Sequence, residues 1–279
     1  MCSMKRFRNA IVGIIVVLGV VSMGTALWAA DEKLLEVLAF KYPPVMGESS
    51  ISKEGILVEL VRAAFESQGV PITVTYLPVR RAIEQVSANE SLAYLGVKNT
   101  FAPDIQAHLH EYPLFVSRFL VFYRKDRFPQ GFAYQKLSDL KDYQIGVLGG
   151  GTTDVIGKEN HLNVDPANGL EFIFKKLDGG RDDIGVASEF SIELMLRDLF
   201  KERAAEYEVY QDVPFHQINS VINLNDRHPD FAYYEPKLKA GMKAIASNGE
   251  WQRILEQFYG SGNIPAMTKE LFESAVATY

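Results

Sequence analysis

Residues Tyr143 to Asp154 read YQIGVLGGGTTD, and they constrain the fold more than any other stretch of the chain. Gln144 to Leu148 is a short apolar run suited to a buried strand. Gly149, Gly150 and Gly151 follow at once, and then Thr152, Thr153 and Asp154. Three glycines permit a sharp turn and leave backbone N–H groups uncovered, while a threonine or aspartate can cap the helix that follows. Such a strand, turn and helix puts donors and hydroxyls at the carboxyl end of a strand, where open α/β sheets hold ligands. A plain turn that binds nothing would read the same way. The P-loop lysine is missing, and the glycine spacing is not that of a dinucleotide-binding turn.

Upstream of this stretch, strand and helix patterns alternate. Leu34 to Phe40 is apolar enough for a strand and is stopped by Lys41, Tyr42, Pro43 and Pro44. That stiff loop either lines a cleft or lies in solvent with Tyr42 half packed. Ser52 to Gly69 predicts a helix with Ile56, Leu57, Leu60, Val61, Ala64 and Phe65 on one stripe. Pro71 to Leu77 alternates as a strand, and Val79 to Val86 predicts a second helix with Arg80 and Arg81 in its first turn. Arginines there oppose the helix dipole, so they meet either an anionic ligand or an acidic neighbour. Leu92 to Val97 is a third strand, ending in Lys98, Asn99 and Thr100. Strand, helix, strand, helix, strand is a βαβ order. Phe115 to Tyr123 then runs on as a strand without a linker, as a segment crossing between two lobes would.

Downstream, Leu170 to Leu177 and Glu189 to Phe200 predict helices. Asp183 to Ala187, Tyr207 to Tyr210 and Val221 to Leu224 predict strands. Phe231 to Ala246, Glu250 to Phe258 and Glu270 to Val276 are helical and have no strands of their own to cover, so they need the sheet of the first lobe. A return crossing near His216 to Leu224 would bring them there. The expectation is a two-lobed α/β fold with two crossing strands at the hinge. Residues 31–122 and 218–279 form the first lobe, and 123–217 form an inserted second lobe, facing it across a polar gap.

With 279 residues, one large or two modest domains are affordable. The formal charge of -6 points away from nucleic acid. At the N-terminus, Lys5, Arg6 and Arg8 precede the apolar run Ile11 to Val21, and small residues lead up to Ala29, Ala30 and Asp31. That is the pattern of a cleavable signal peptide over residues 1–30, with an uncleaved anchor as its rival. Cys2, the one cysteine, lies in this leader, so the mature chain would carry neither disulfide nor thiol chemistry. The histidines His108, His110, His161, His216 and His228 lack zinc-helix spacing, and no Gly-x-Ser-x-Gly elbow occurs. Asp182 and Asp183 are adjacent, and on a strand they would point to opposite faces. A binding protein is expected rather than an enzyme, with no cofactor and no metal.

Taken in order, EGILVELVRAAFESQGV, EYPLF, LSDLKDYQIGVLGGGTT, LDGGRDDIGVAS and NGEWQRILEQFYG resemble the bacterial extracellular solute-binding proteins of family 3, the periplasmic components of polar-amino-acid ABC transporters. The likeness spans about Glu32 to Gly260. It implies the type II periplasmic-binding-protein fold, a cleft that closes on its ligand by hinge motion, and C-terminal helices that belong to the first lobe. The family's ligand positions fall on Tyr42, near Arg80, on Gly96 to Asn99 (Gly96, Lys98 and Asn99 among them), on Thr152 and Thr153 after Gly151, and on Ser188. Two positions depart from the pattern. The carboxylate-clamping arginine should fall near Pro103 or Asp104, and the aspartate that receives an amino group should fall on Ser188. An ordinary α-amino acid is therefore not the expected ligand. Arg80, Arg81 or Arg118 could supply positive charge to an anion instead, and alanine at Arg80 would then abolish its binding. The implied protein is a periplasmic monomer that captures a small polar or anionic solute for a membrane permease or, alternatively, for a membrane sensor. An enzyme on the same fold is the remaining class.

Overall fold

The computed structural model describes residues 33–279, and the signal peptide expected over 1–30 lies outside them. Chain order begins with strand β1 (Leu35–Ala39), helix α1 (Ile56–Glu66), β2 (Ile72–Tyr76), α2 (Val79–Ser87), β3 (Ala93–Leu95) and α3 (Pro103–Gln106). The long β4 (Leu109–Arg124) follows, then β5 (Ile145–Leu148), α4 (Thr152–Glu159), β6 (Val164–Ala167) and α5 (Leu170–Asp178). The chain continues through β7 (Ile184–Ser188), α6 (Glu189–Met195), β8 (Tyr207–Tyr210) and β9 (His216–Asn225). It ends with α7 (Phe231–Ser247), α8 (Glu250–Tyr259) and α9 (Ala266–Ala277).

The strands join in the order β2-β1-β3-β9-β4-β7-β5-β6, with β8 also on β4. β1 runs parallel to β2 and β3, as crossover helices α1 and α2 require. β9 and β4 are antiparallel from Leu109↔Asn225 to Phe119↔His216, with a register shift between Pro113 and Phe115. At Phe119 the neighbours change. β7 joins one edge of β4 with its last residue, Ser188, opposite Phe119, and on the other edge β8 replaces β9 from Val121 onward. The sheet thus has two halves that meet on β4, and the architecture is the bilobed α/β one expected. The hydrogen-bonded ladder nevertheless passes from half to half without a break, so the division lies in the faces and helices rather than in the strands.

The first half is sealed by α1, whose stripe Ile56, Leu57, Leu60, Val61, Ala64 and Phe65 is buried. The helix starts at Ile56 rather than at Ser52. The Ser52 hydroxyl accepts the Gly55 N–H at 2.7 Å and the Glu54 N–H at 3.2 Å, which makes a turn. Gly55 then takes φ 94°, a value that favours glycine and that ends the helix on its N-terminal side. From the far end of the chain, α7 and α8 pack on α1. Trp251 of α8 stacks on Phe272 of α9 at 4.5 Å and donates its indole N–H to the Leu114 carbonyl at 2.9 Å. The C-terminal helices therefore fasten onto the first half through β4.

β6 is a strand that the sequence pattern does not announce. Its residues Val164, Asp165, Pro166 and Ala167 pair with β5 at the end of the sheet order. Proline is tolerated there because an edge strand leaves one row of N–H positions unused. No helix among the described residues is long and apolar enough to cross a membrane.

Candidate functional site

A cavity of about 70 Å³ lies where the two halves face each other. The first half contributes Phe40, Tyr42, Val45, Met46, Gly96 and Val97. Ser117, Phe119, Ile218, Asn219, Ser220 and Val221 come from the paired strands β4 and β9. From the second half come Leu148, Gly151, Thr152, Thr153, Val186 and Ser188. The lining is mostly apolar with a few neutral polar groups, less polar than the gap expected from the sequence, while a second groove between the halves carries Lys41, Asn168 and Glu171.

Tyr42 is held by a tight turn in which its N–H bonds the Met46 carbonyl at 2.7 Å and its carbonyl accepts the Met46 N–H at 2.9 Å. The next peptide bond but one, Pro43–Pro44, is cis. Only 5% of Tyr42 is exposed, and its ring lies 6.1 Å from that of Phe119. The Tyr42 hydroxyl accepts the backbone N–H of Ser188 at 2.9 Å. Burial pushes the phenol up to about 12, so it stays protonated. Ser188 caps α6: its hydroxyl accepts the Ser191 N–H at 3.2 Å and donates to the Ser191 hydroxyl at 2.8 Å. Ser191 in turn donates to the Pro43 carbonyl at 2.8 Å. Two direct bonds thus tie the first loop of one half to the start of α6 in the other.

At the glycine turn the structure corrects the sequence reading. The N–H groups of the three glycines are all used inside the protein. Gly149 donates to the Ala167 carbonyl at 2.9 Å and Gly151 to the Leu148 carbonyl at 3.2 Å. Gly150, at φ 75°, donates to the Asp154 carboxylate at 2.9 Å. Asp154 folds back on its own turn and is also paired with Lys158 at 2.9 Å. The donors left over are those of the first turn of α4 at Thr152 and Thr153. Thr153 shares a hydrogen bond of 2.9 Å with Nε2 of His216. His216 stacks on Phe119 with centroids 4.4 Å apart, and burial lowers its pKa to about 4, so the ring is neutral. The Thr152 side chain is 8% exposed, faces the cavity and has no hydrogen-bond partner among the described residues. Across β4 and β9, the Ser117 and Ser220 hydroxyls bond each other at 2.8 Å.

Of the residues singled out from the sequence, Tyr42, Gly96, Gly151, Thr152, Thr153 and Ser188 are brought together around this cavity. Arg80, Lys98 and Asn99 do not line it. Arg80 is exposed on the first turn of α2. Lys98 reaches the Glu111 carboxylate, its Nζ at 3.8 Å. Arg118 pairs with Glu189 at 2.8 Å and lines a separate groove with Phe258 and Tyr259. Asp182 and Asp183 do diverge: Asp182 is buried, while Asp183 accepts the Gln144 N–H at 2.8 Å and binds Arg127 at 2.7 Å. The wall residues from Ser117 to Phe119 and from Ile218 to Val221, with His216 behind them, were not foreseen. The signal for them was the location of the return crossing, since paired crossing strands must floor any cleft between lobes. Among the described residues, no group of three His, Cys, Asp or Glu is placed to hold a metal ion.

No protein-family model matches the chain, and no curated protein matches it either. Many solved structures do. The GluR0 ligand-binding core from Nostoc punctiforme in complex with L-glutamate is 16% identical, with 81% of this chain and 99% of that one covered at a TM-score of 0.64. The substrate binding protein of an amino acid ABC transporter gives 16%, 81%, 99% and 0.63 by the same measures. The ancestral amino acid-binding protein AncCDT-1, a precursor of cyclohexadienyl dehydratase, gives 14%, 81%, 95% and 0.62. These likenesses establish the type II periplasmic solute-binding-protein fold for this chain.

Proposed function

We propose that the protein is an extracytoplasmic solute-binding protein that captures one small molecule between its lobes and delivers it to a membrane importer. The observation that carries this reading is a cavity walled by both halves and floored by the strands that join them. Lobes cut near residues 122 and 218 would hinge on β4 and β9. The Tyr42–Ser188 and Ser191–Pro43 bonds would form as the lobes close. Gly151, Thr152, Thr153, Ser188, Tyr42 and Gly96 are the proposed ligand contacts, and cleavage of residues 1–30 is the proposed route to the periplasm. The likeness to the substrate binding protein of an amino acid ABC transporter supports transport.

A second reading is supported by the GluR0 ligand-binding core, which has the same fold: the protein would report ligand capture to a membrane partner instead of passing the ligand on. Permease and ATPase genes beside this one would favour the first reading, and a sensor gene alone the second. Catalysis is the third class, raised by the likeness to the precursor of a dehydratase. The cavity has no acid and base facing each other, so a bound ligand is expected to be recovered unchanged.

The test is a thermal-shift screen of the purified protein against amino acids, organic acids, short peptides, sugars and small amides. A specific ligand at one hundred times its Kd should add about 2.7 kcal/mol to native-state stability. Titration should give one site per chain. No stabilising ligand in any class, or one whose affinity ignores substitutions at the cavity wall, would sink the proposal.

A further inference from the structure

We infer that the cavity selects a compact, uncharged ligand with a branched apolar body and one hydrogen-bond-accepting end. This rests on the solute-binding reading above and narrows it.

Charge is the first argument. Among the described residues that line the cavity there is no Asp, Glu, Lys, Arg or His. An ionised group moved from water to such a place loses its hydration and gains no counter-charge. Three charges close by are paired, Lys98 with Glu111, Arg118 with Glu189, and Asp154 with Lys158 and the Gly150 N–H, while Lys41, between Phe40 and Tyr42, is exposed outside the lining. Asp154 also sits in the first turn of α4, where its carboxylate already answers the partial positive charge of the helix end. A second anion there would face a like charge.

Hydrogen bonding is the second argument. Ser117 and Ser220 share one hydrogen bond, which leaves one of their two O–H groups free to donate, while Thr153 is engaged by His216, and Ser188 by Ser191 and by the Tyr42 hydroxyl. With its N–H held by Tyr42, Ser188 has no backbone donor to offer a ligand. The lining hydroxyl with no partner at all among the described residues is that of Thr152, a residue more than nine-tenths buried, beside the unpaired N–H groups that open α4; the Tyr42 O–H, which only accepts within the protein, and the exposed Asn219 amide add further donors. Backbone N–H groups can only donate. The ligand atom that meets them is an acceptor, such as the oxygen of an amide, ketone or alcohol.

Shape is the third. A cavity of about 70 Å³ has room for about six water-sized groups. Phe40, Met46, Phe119, Leu148 and Ile218 surround it with hydrocarbon and aromatic surface, which favours a compact branched body over a hydrated chain.

Three molecules of equal heavy-atom count and branching separate these demands: isobutyramide, isobutyrate and alanine. Each is titrated into the protein at neutral pH, with binding followed by NMR chemical-shift changes. The expected result is saturable binding of isobutyramide, at least about tenfold tighter than either charged isostere. Thr152→Val should weaken isobutyramide about tenfold, and Thr152→Ser, which keeps the hydroxyl, should restore it to within about threefold. The folded state of both variants is checked by circular dichroism and melting temperature. If isobutyrate or alanine binds as tightly as the amide, the uncharged assignment falls while the solute-binding reading stands. The same holds if isobutyramide fails to bind and a charged compound from the broader screen succeeds. Equal amide affinity in Thr152→Val overturns the placement of the accepting end. Silence from every compound in both panels overturns this inference and the solute-binding reading together.

Discussion

Replacing His216 by glutamine tests how the floor of the cavity responds to acid. The imidazole stacks on Phe119 at 4.4 Å and shares a hydrogen bond with Thr153 at 2.9 Å. Burial lowers its pKa from 6.5 to about 4. As the pH falls, the unfolded chain takes up this proton first, so acid favours unfolding. The stability contributed by the neutral ring is complete above pH 6.5 and is lost between 6.5 and about 4. Each tenfold change in an acid constant is worth about 1.4 kcal/mol, so the loss at the lower end amounts to about 3 kcal/mol. Glutamine can keep the bond to Thr153 and has no proton to gain. Urea unfolding of both proteins, from about pH 7.5 down to about pH 4, gives a stability difference in which the other titrating groups cancel. That difference should move by about 3 kcal/mol in favour of the variant as the pH falls, with most of the change below pH 6.5. A difference constant to within about 0.5 kcal/mol would mean that His216 is charged or well hydrated in the folded state, and the reasoning would fail.

Asp182 gives the opposite sign. It is 1% exposed, and burial, followed by the Asp165 carboxylate beside it, pushes its carboxyl pKa upward. Its cost to folding is absent below the unfolded value of 3.8 and grows as the pH rises past it. Asp182→Asn should therefore stabilise the protein by about 1–3 kcal/mol at mildly alkaline pH and by much less in acid, read by melting temperature at the two extremes; an equal effect at both would remove the charge argument. Gly241→Ala should destabilise by about 2 kcal/mol or more, because a methyl group there would lie 2.0 Å from the Ala64 carbonyl oxygen where α7 crosses α1. A melting temperature unchanged by that substitution would show that the two helices are not in such close contact.

The alternation of strands and helices was legible in the sequence because apolar stripes and turn residues repeat the same message. Where they conflict, local pattern misleads. Pro166 hid β6, since proline argues against a strand everywhere except at an edge. Pro113, with His110 and Glu111 before it, masked the first third of β4, which begins at Leu109. Gly55 shortened α1 through its positive φ, a backbone property that periodicity does not register. At the site, Thr152 and Thr153 were legible because a glycine turn must open onto something. The fate of the glycine N–H groups was not, because it depends on Asp154 folding back four residues onto Gly150. Arg80 was read by its sign of charge, whereas its place relative to the cavity is set by tertiary geometry. The floor from Ile218 to Val221 belongs to a strand whose partner lies about a hundred residues earlier, and local pattern is silent on such pairings.

The place of β9 between β3 and β4 has a consequence for how the molecule is born. Every strand of the second half, from the second part of β4 to β8, precedes β9 in the chain. The middle of the nascent polypeptide can therefore complete its hydrogen-bonded ladder while the amino-terminal part still waits for its central strand and for the helices that seal it. A chain truncated after Tyr210 would leave β3 and the front of β4 as bare edges, open to pairing with other molecules. Premature termination or proteolytic nicking in that region is thus expected to yield aggregate rather than a soluble amino-terminal fragment.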